Sequence, residues 1–359
     1  MANNSWTYNP LNLLPSLGHL FTSNPQDSKL IRKPDPSNIT KCNLLIINLN
    51  SITRNDGSLI PVVQGSLNTF IKNEIKPICF ITYDYRRTPK LVKKELKQIG
   101  YKPTTHTKII TPSLITLKYL NTSLKNHYKI INETNQPIKI GIIGENDFFF
   151  YIKDNFRLST QASSQKHNFY KKVKFYWIRD DILPTNMDYM VFSSIKDNEH
   201  YNPIKERISK WITKSPKTAF LLTSLLDNST IYTNDSNSIK FYAPLDIFNS
   251  ALLDIKTTHP EVYNTLNTAY TVPILDNPEL ITQILREYYN ITINDKDDNK
   301  HILMIYDNLE KDMILSESIK SSSCLVLTGH TKLDMLPSIN KDLLDKVDYV
   351  VPDASYCLF

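Results

Sequence analysis

Two asparagines stand two positions apart directly after an apolar run near the start of the chain. The run from Leu44 to Ile47 is followed by Asn48, Leu49, Asn50 and Ser51. It is typical of a buried parallel strand, and ligands and catalytic groups collect at the carboxyl ends of such strands. Two aspartates followed by glycine would predict an enzyme here. An amide is a poor nucleophile and exchanges no proton near neutral pH, so the pattern poses the question of whether this is an active site or its remnant.

Strand-like and helix-like segments alternate from residue 43 onward, and this order must position the two asparagines. Apolar runs alternate with amphipathic stretches up to about residue 144, and the same order returns from residue 278 to residue 352. This βαβ order predicts an α/β fold with a Rossmann-like, doubly wound parallel sheet. The predicted strands are 44–49, 77–82, 108–110, 138–144, 301–307, 324–329 and 348–352, and the predicted helices are 63–75, 89–100, 112–127, 278–289 and 311–321.

A second α/β set lies in the middle of the chain. Predicted strands at 174–178, 188–194 and 218–224, with a helix over 204–213, interrupt the first sheet. We therefore predict three parts: a Pro-rich N-terminal extension over 1–39, a core made of 40–128 and 261–359, and an inserted α/β cap over 129–260. The extension is either a tail packed on its own domain or an arm that docks on another protein.

Several segments together resemble one family. The stretch 48–70 resembles the opening motif of the haloacid dehalogenase superfamily, in its NagD and 4-nitrophenylphosphatase branch, with Gly57, Ile60 and Pro61 matching. Thr82 and Gly100 match a second motif, and 305–331 resembles the acidic signature through Asp307, Leu309, Asp312 and the run Leu327-Thr328-Gly329. The resemblance implies a Rossmann-like core with a C2-type cap inserted in it.

The resemblance also implies where catalysis has been altered. The family's nucleophilic aspartate corresponds to Asn48, and its acid/base aspartate corresponds to Asn50. The lysine that neutralises the phosphate corresponds to Val272. The glycines of the two acidic motifs are replaced by Ser51 and Tyr306. The loss of a nucleophile alone can cost on the order of 10⁶ in turnover, so this pattern predicts a degenerate, catalytically inactive site.

Three site residues of the family are retained. Thr82 is the predicted remnant of the phosphate site, and Asp307 with Asp312 would hold Mg²⁺ weakly, if at all. Mg²⁺ is usually held by carboxylates together with phosphate oxygens. The alternative is structural, because an aspartate at a helix N-terminus caps the helix and interacts favourably with its dipole. We predict no required cofactor, with a vestigial Mg²⁺ site as the one option.

Composition narrows the class of protein and of partner. The 359 residues carry 42 basic and 36 acidic side chains, a mild net charge of +6 that makes nucleic acid an improbable partner. No apolar run reaches the roughly 18 residues of a membrane span. The four cysteines lack paired spacing, which favours an intracellular, reducing compartment, either cytoplasmic or mitochondrial.

These observations lead to one predicted function and two alternatives. The predicted function is a pseudophosphatase, not an enzyme, that serves as a protein-binding or structural subunit of a larger assembly, with a mitochondrial one as an option. The first alternative is a sensor that binds a phosphorylated metabolite without hydrolysing it. The second is a weak Mg²⁺-dependent phosphatase with another nucleophile, such as Ser51 or Asp56.

Overall fold

The computed structural model describes residues 30–53, 58–73, 77–126, 136–158, 173–180, 185–196, 201–224, 232–234, 237–239, 241–273, 277–289 and 301–358. Most of the predicted N-terminal extension, together with Asp56 and Gly57, lies outside these residues. The part of the extension that is described runs along the main sheet. Arg32 pairs with Val350 in an antiparallel bridge, and the Lys33 ammonium lies 4.8 Å from the Tyr356 ring centroid.

Six parallel strands form the core sheet, in the order β15-β14-β13-β1-β2-β3. Strands β2 and β3 lie on one side of β1, whereas β13, β14 and β15 lie on the other side. Open α/β sheets bind ligands at such a switch point. The prediction of a doubly wound parallel sheet is confirmed. The strands are β1 (Leu44–Asn48), β2 (Ile78–Ile81), β3 (Thr107–Ile110), β13 (Ile302–Tyr306), β14 (Ser322–Val326) and β15 (Tyr349–Val351).

Side chains of β1 alternate between the two faces of this sheet. Leu44 and Ile46 belong to one buried apolar cluster, whereas Leu45 and Ile47 belong to another. Such a strand is covered on both faces and therefore has a continuous apolar sequence. The core helices are α1 (Pro36–Thr40), α2 (Pro61–Asn73), α3 (Pro89–Gln98), α4 (Pro112–Asn126), α9 (Pro278–Tyr289), α10 (Leu309–Ser318) and α11 (Lys341–Asp345).

Local sequence sets the ends of the helices near the site. Thr88 accepts a hydrogen bond from the Leu91 N–H, and Pro89 occupies the first turn of α3. Gly100 follows that helix with φ of 89°, a conformation that glycine adopts without steric cost. Asn308 caps α10 by accepting from the Lys311 N–H. The prediction that Gly100 stops its helix is confirmed.

The inserted cap is built on a second sheet of five parallel strands, in the order β12-β8-β6-β4-β5. Two short antiparallel pairs, β7 with β11 and β9 with β10, complete its strands. The strands are β4 (Ile138–Ile143), β5 (Val173–Trp177), β6 (Tyr189–Phe192), β7 (Ile195–Lys196), β8 (Ala219–Leu222), β9 (Tyr232–Asn234), β10 (Asn237–Ile239), β11 (Phe241–Tyr242) and β12 (Tyr270–Thr271). The helices are α5 (Asn146–Leu158), α6 (Tyr201–Thr213), α7 (Pro244–Thr258) and α8 (Pro260–Tyr263).

One boundary of the predicted division needs correction. The strand β12 pairs with β8 of the second sheet, although residues from 261 onward were assigned to the core. The second sheet therefore extends to Thr271. The sequence signal was weak here because β12 contributes only two residues, too few to show an alternating or continuous apolar pattern.

Candidate active site

Asn48 is the last residue of β1 and lies almost fully buried at the carboxyl edge of the core sheet. Its Nδ2 donates to both carboxylate oxygens of Asp312, at 2.9 and 3.2 Å. Its Oδ1 accepts from the Asn50 N–H at 3.1 Å and caps the short 3₁₀ turn Leu49–Ser51. The Ser51 hydroxyl donates to the Asn48 carbonyl at 2.6 Å. The side chain of Asn48 is therefore held by hydrogen bonds at both of its polar atoms.

Asn50 occupies the exposed position of that 3₁₀ turn. The hydrogen bond to Asn48 uses its backbone N–H, not its side chain. Ser51 is fully buried and its hydroxyl is used by the Asn48 carbonyl. Within this turn the side chain of Ser51 is therefore buried, whereas that of Asn50 is exposed.

Asp307 follows β13 directly and is 3% exposed. Its Oδ2 accepts from the His330 N–H at 2.9 Å, while its buried Oδ1 has no hydrogen-bond partner among the described residues. Burial raises the pKa of this carboxyl, against the opposing effect of the His330 hydrogen bond. An unpartnered buried carboxylate oxygen is costly, and it suits a group that binds from outside the chain.

Gly329 makes the position of Asp307 possible. A Cβ built on Gly329 would lie 2.2 Å from Oδ2 and 2.5 Å from Cβ of Asp307. Only glycine lets the loop after β14 approach the carboxylate so closely. The family motif had suggested Gly329 as a matching residue, and the structure supplies the steric reason for it.

Asp312 lies in the first turn of α10 and is fully buried. It accepts hydrogen bonds from Asn48, from the Tyr83 hydroxyl and, at 3.4 Å, from the Asn308 N–H. Burial, and then the nearby charge of Asp307, raise its pKa to about 7. The helix cap is Asn308, so Asp307 does not have the capping role of the structural alternative, whereas Asp312 does sit in the first turn of the helix.

Thr82 comes after β2, on the other side of β1 from Asp307, and is fully buried. Its hydroxyl oxygen accepts from the Asp84 N–H at 3.1 Å, which leaves the hydroxyl hydrogen available for donation.

Burial and the charge of Asp312 raise the pKa of the neighbouring Tyr83 well above its usual value. The sequence analysis did not identify Tyr83, and a single tyrosine after a strand gives no signal that would have found it.

Val272 follows β12 and is 1% exposed, within an apolar cluster that also contains Tyr306 and Leu309. It is the predicted replacement of the phosphate-neutralising lysine. A buried valine supplies no charge, and its place beside the cap strand β12 explains its apolar character.

The loop after β2 joins the site to the cap. The Ser193 hydroxyl, after β6, donates to the Tyr85 carbonyl at 3.1 Å, and the Arg86 guanidinium lies 5.6 Å from the Phe241 ring centroid. Arg86 is held by Asp84 through two hydrogen bonds, and Arg87 lies 3.1 Å from the same carboxylate. Burial opposes ionisation of Asp84, but the two guanidinium groups lower its pKa overall. The carboxyl edges of the two sheets therefore meet at this loop.

The described residues contain no group of three or more His, Cys, Asp or Glu side chains arranged to hold a metal ion. A Mg²⁺ ion at Asp307 and Asp312 would therefore need amide, carbonyl, phosphate or water oxygens as further ligands, which Mg²⁺ accepts readily. Within the same residues, no helix has both the length and the apolarity to cross a membrane.

Known proteins were compared with the chain by sequence and by structure. No family model matches it, and no curated protein matches it. Solved structures do match. A possible sugar phosphatase of the HAD superfamily from Cytophaga hutchinsonii has a TM-score of 0.58 at 14% identity, covering 92% of this chain and 99% of that one. A 4-nitrophenylphosphatase from Thermotoga maritima has a TM-score of 0.53 at 16% identity, covering 89% and 97%.

NagD from Escherichia coli also matches, with a TM-score of 0.51 at 12% identity over 88% of this chain and 97% of that one. The chain has the HAD-like fold of the NagD branch. This confirms the resemblance in sequence and the predicted fold class, a Rossmann-like core with an inserted α/β cap. At these identities the likeness concerns the fold.

The comparisons contradict one prediction. The chain was predicted not to be an enzyme, because amides stand at positions 48 and 50. Two of the solved structures that share its HAD-like fold across most of both chains are named as a possible sugar phosphatase and a 4-nitrophenylphosphatase. The prediction was wrong in taking two residues as decisive, because proteins that share this fold are named as phosphatases. The correspondence of Asn48 and Asn50 to the family's two aspartates stays a prediction.

Proposed function

We propose that this protein is a weak Mg²⁺-dependent phosphatase that acts on a phosphate monoester at the carboxyl edge of β1, β2 and β13. The observation that carries the proposal is the buried pair Asp307 and Asp312. The hydrogen bonds that reach these carboxylates come from backbone N–H groups, the Asn48 amide and the Tyr83 hydroxyl, all of them neutral. Burial raises the pKa of both carboxyls and the charge of Asp307 further raises that of Asp312, and a divalent cation would relieve that cost.

The residues present fit Mg²⁺. The unpartnered Oδ1 of Asp307 is the first ligand that we infer. The other candidate ligands are the Asp312 carboxylate and the Asn48 side-chain oxygen. These two side chains are joined by a hydrogen bond of 2.9 Å from Asn48 Nδ2. Hard oxygen donors of this kind, completed by phosphate and water, are what Mg²⁺ prefers. When bound, the ion would neutralise charge on the phosphate.

The other residues would orient the substrate. The Thr82 hydroxyl, whose hydrogen is not used by its bond from Asp84 N–H, can donate to a phosphate oxygen. The loop after β2 carries Tyr85 and Arg86 against the cap. We expect the organic part of the ester to lie beside this loop, between the core and the cap.

We expect the reaction to be slow, for a chemical reason. Asn48 cannot form a phosphoryl-enzyme bond at a useful rate, because an amide oxygen is a poor nucleophile. Water must then attack phosphorus directly, forming the new P–O bond as the ester P–O bond breaks, with a proton passing to the leaving alkoxide. Asn50 cannot deliver that proton near neutral pH.

The test is turnover of 4-nitrophenyl phosphate by the purified protein, with Mg²⁺ and with EDTA, beside two variants. Asp307→Asn removes the charge that carries the proposal. Asp334→Asn makes the same change at an exposed aspartate. We expect slow turnover that requires Mg²⁺, falls at least about tenfold in Asp307→Asn, and is unchanged in Asp334→Asn.

Two outcomes would contradict the proposal. Equal rates in the parent and in Asp307→Asn would show that the turnover does not use Asp307. Absence of turnover across a panel of phosphate esters, with thermal stabilisation by the same esters and Mg²⁺, would instead support a binding protein that does not hydrolyse its ligand.

The prediction of a protein partner stays a prediction. The exposed large apolar side chains among the described residues lie on separate elements: Val62 on α2, Phe150 on α5, Leu253 on α7, Tyr270 on β12, Ile314 on α10 and Met335 in a 3₁₀ turn. Single exposed apolar residues are normal on a protein surface. No second function is therefore proposed.

A further inference from the structure

Two thiols lie in contact within the apolar cluster on one face of the core sheet. Cys324, in β14, and Cys357, in the 3₁₀ turn Ala354–Cys357, have their sulfur atoms 3.1 Å apart. Both side chains are fully buried. Spacing along the chain does not indicate this pair, because the two positions are 33 residues apart.

The backbone on both sides of the pair is well held. Cys324 lies in a strand that is hydrogen-bonded to β13 on one side and to β15 on the other. The turn that carries Cys357 follows β15 closely and is capped by Asp353, which accepts from the Ser355 N–H at 2.8 Å. A disulfide bond has an S–S distance of about 2.05 Å. Closing the pair therefore requires a movement of only about 1 Å between the two sulfur atoms.

We propose that Cys324 and Cys357 form an oxidisable dithiol that closes to an intramolecular disulfide on exchange with a small-molecule disulfide such as oxidised glutathione. The thiolate of one cysteine attacks the glutathione disulfide and releases one reduced glutathione. The second thiolate attacks the protein sulfur of the mixed disulfide and releases another. Two protons leave the protein thiols and two electrons reduce oxidised glutathione, so the product is one protein disulfide and two glutathione thiols.

The surroundings make this exchange slow in the folded protein. Burial raises the pKa of the Cys324 thiol well above its usual value, and the hydrogen-bonded Cys357 raises it further. Thiolate is the reactive form, and both sulfur atoms are shielded from solvent. Exchange therefore requires the four-residue turn to open, so the pair responds to sustained oxidation and not to brief exposure.

The disulfide would tie the C-terminal turn to β14, the strand next to the edge strand β15. That turn contacts the N-terminal side of the described chain, since Lys33 lies over the Tyr356 ring. The loop after β14 holds Asp307 through His330. Oxidation thus stabilises the edge of the sheet that carries β14 and β15, and this inference does not depend on phosphatase activity.

The test compares oxidation of the whole protein with reducing conditions. The protein is incubated folded, and also refolded from guanidinium, in oxidised glutathione or in dithiothreitol. Trypsin digestion without reduction then releases the peptides 321–332 and 347–359, which contain Cys324 and Cys357. We expect them as one species, two hydrogens lighter than their sum, after oxidation. We also expect an increase in Tm of roughly 5 °C.

Two matched variants sharpen the result. Cys357→Ala should lose both the cross-linked peptide and the increase in Tm. Cys79→Ser, a change at another buried cysteine, should keep both. Free Cys324 and Cys357 thiols after refolding in oxidised glutathione would overturn the proposal, as would a cross-link between Cys42 and Cys357.

Discussion

The Nδ2 atom of Asn48 lies 2.9 Å from one carboxylate oxygen of Asp312 and 3.2 Å from the other. The contact joins residues 264 positions apart, at the switch point of the core sheet. A neutral amide donor here stabilises a buried carboxylate that has a second carboxylate, Asp307, nearby. Asn48 therefore has a clear structural role in the metal-free protein, whatever it contributes to catalysis.

Replacing Asn48 by aspartate should lower the free energy of unfolding and raise the rate of turnover. In EDTA at neutral pH, a third carboxylate would meet Asp312 without a donor between them, and we expect a loss of about 1–3 kcal/mol in the free energy of unfolding. With Mg²⁺ that loss should be largely reversed, and turnover of 4-nitrophenyl phosphate should rise at least about tenfold because residue 48 becomes a nucleophile. Urea unfolding and steady-state rates measure the two effects.

The matched control is Asn50→Asp, which adds the same charge at an exposed position. It should change the free energy of unfolding by less than about 0.5 kcal/mol. Combining both substitutions should raise turnover above that of Asn48→Asp alone, because an acid/base group is then present as well. Equal stability of Asn48→Asp and the parent in EDTA would show that residue 48 does not contact Asp312 as described.

The raised pKa of Asp312 predicts a pH dependence of stability in the absence of metal. Its folded pKa, about 7, lies above the usual 3.8, so the folded state binds this proton more tightly than the unfolded state does. Ionised Asp312 therefore lowers stability above about pH 7, and this cost disappears as the pH falls towards 4. A pKa raised from 3.8 to about 7 corresponds to at most about 4 kcal/mol.

Asp312→Asn should remove that cost. In EDTA we expect the variant to be more stable than the parent at pH 8, by up to a few kcal/mol, and to differ much less at pH 5. Urea unfolding at the two pH values gives the comparison. Mg²⁺ should stabilise the parent more than the variant, because the variant has lost one candidate ligand. A variant that is less stable than the parent at pH 8 would show that the buried charge is compensated in the folded protein.

The core strands could be predicted from sequence because each is short, apolar and bounded by polar residues. The strand predicted at 44–49 is found at Leu44–Asn48, and the one predicted at 301–307 is found at Ile302–Tyr306. The hydrophobic periodicity and the residue composition of a segment are enough to predict such elements. Helix α10 begins at Leu309, two residues before its predicted start at residue 311, because the capping role of Asn308 was not recognised.

The site was only partly predictable because its contacts are long-range. The place of Asn48 follows from the rule that ligand-binding groups collect at the carboxyl edge of parallel strands, whereas Thr82, Asp307 and Asp312 were predicted from the family resemblance. The rule does not say which side chains touch, so the bonds from Asn48 and Tyr83 to Asp312 were not foreseen. The thiol pair Cys324 and Cys357 was missed for the same reason, since spacing along the chain carries no information about it.

Gly329→Ala should displace Asp307 without breaking the fold. The added methyl group would lie 2.2 Å from Oδ2 of Asp307, far inside van der Waals contact. The carboxylate or the loop must move. The apparent affinity for Mg²⁺ and the rate of Mg²⁺-dependent turnover should therefore each fall at least about tenfold. Thermal unfolding with increasing Mg²⁺ and the phosphatase assay test this. A variant with the parent's Mg²⁺ response would remove Asp307 from the proposed metal site.

The ion pairs in the loop after β2 allow a final prediction about the junction between the core and the cap. Asp84 accepts two hydrogen bonds from Arg86, and Arg87 lies 3.1 Å from it, with all three side chains only 11–13% exposed. Asp84→Ala would leave two largely buried guanidinium groups without this partner. Because breaking a buried ion pair from one side is costly, we expect a loss of about 3 kcal/mol in the free energy of unfolding.

The lowered pKa of Asp84 places this contribution in a defined pH range. A carboxyl with a depressed folded pKa stabilises the protein above its unfolded value of 3.8 and loses that effect as the pH falls further. The gap between Asp84→Ala and the parent should thus be constant from pH 5 to pH 8. Glu287→Ala, which breaks the exposed pair with Lys118, is the control and should cost less than about 1 kcal/mol. If the two variants lose equal stability, the Asp84 cluster does not hold the loop that joins the site to the cap.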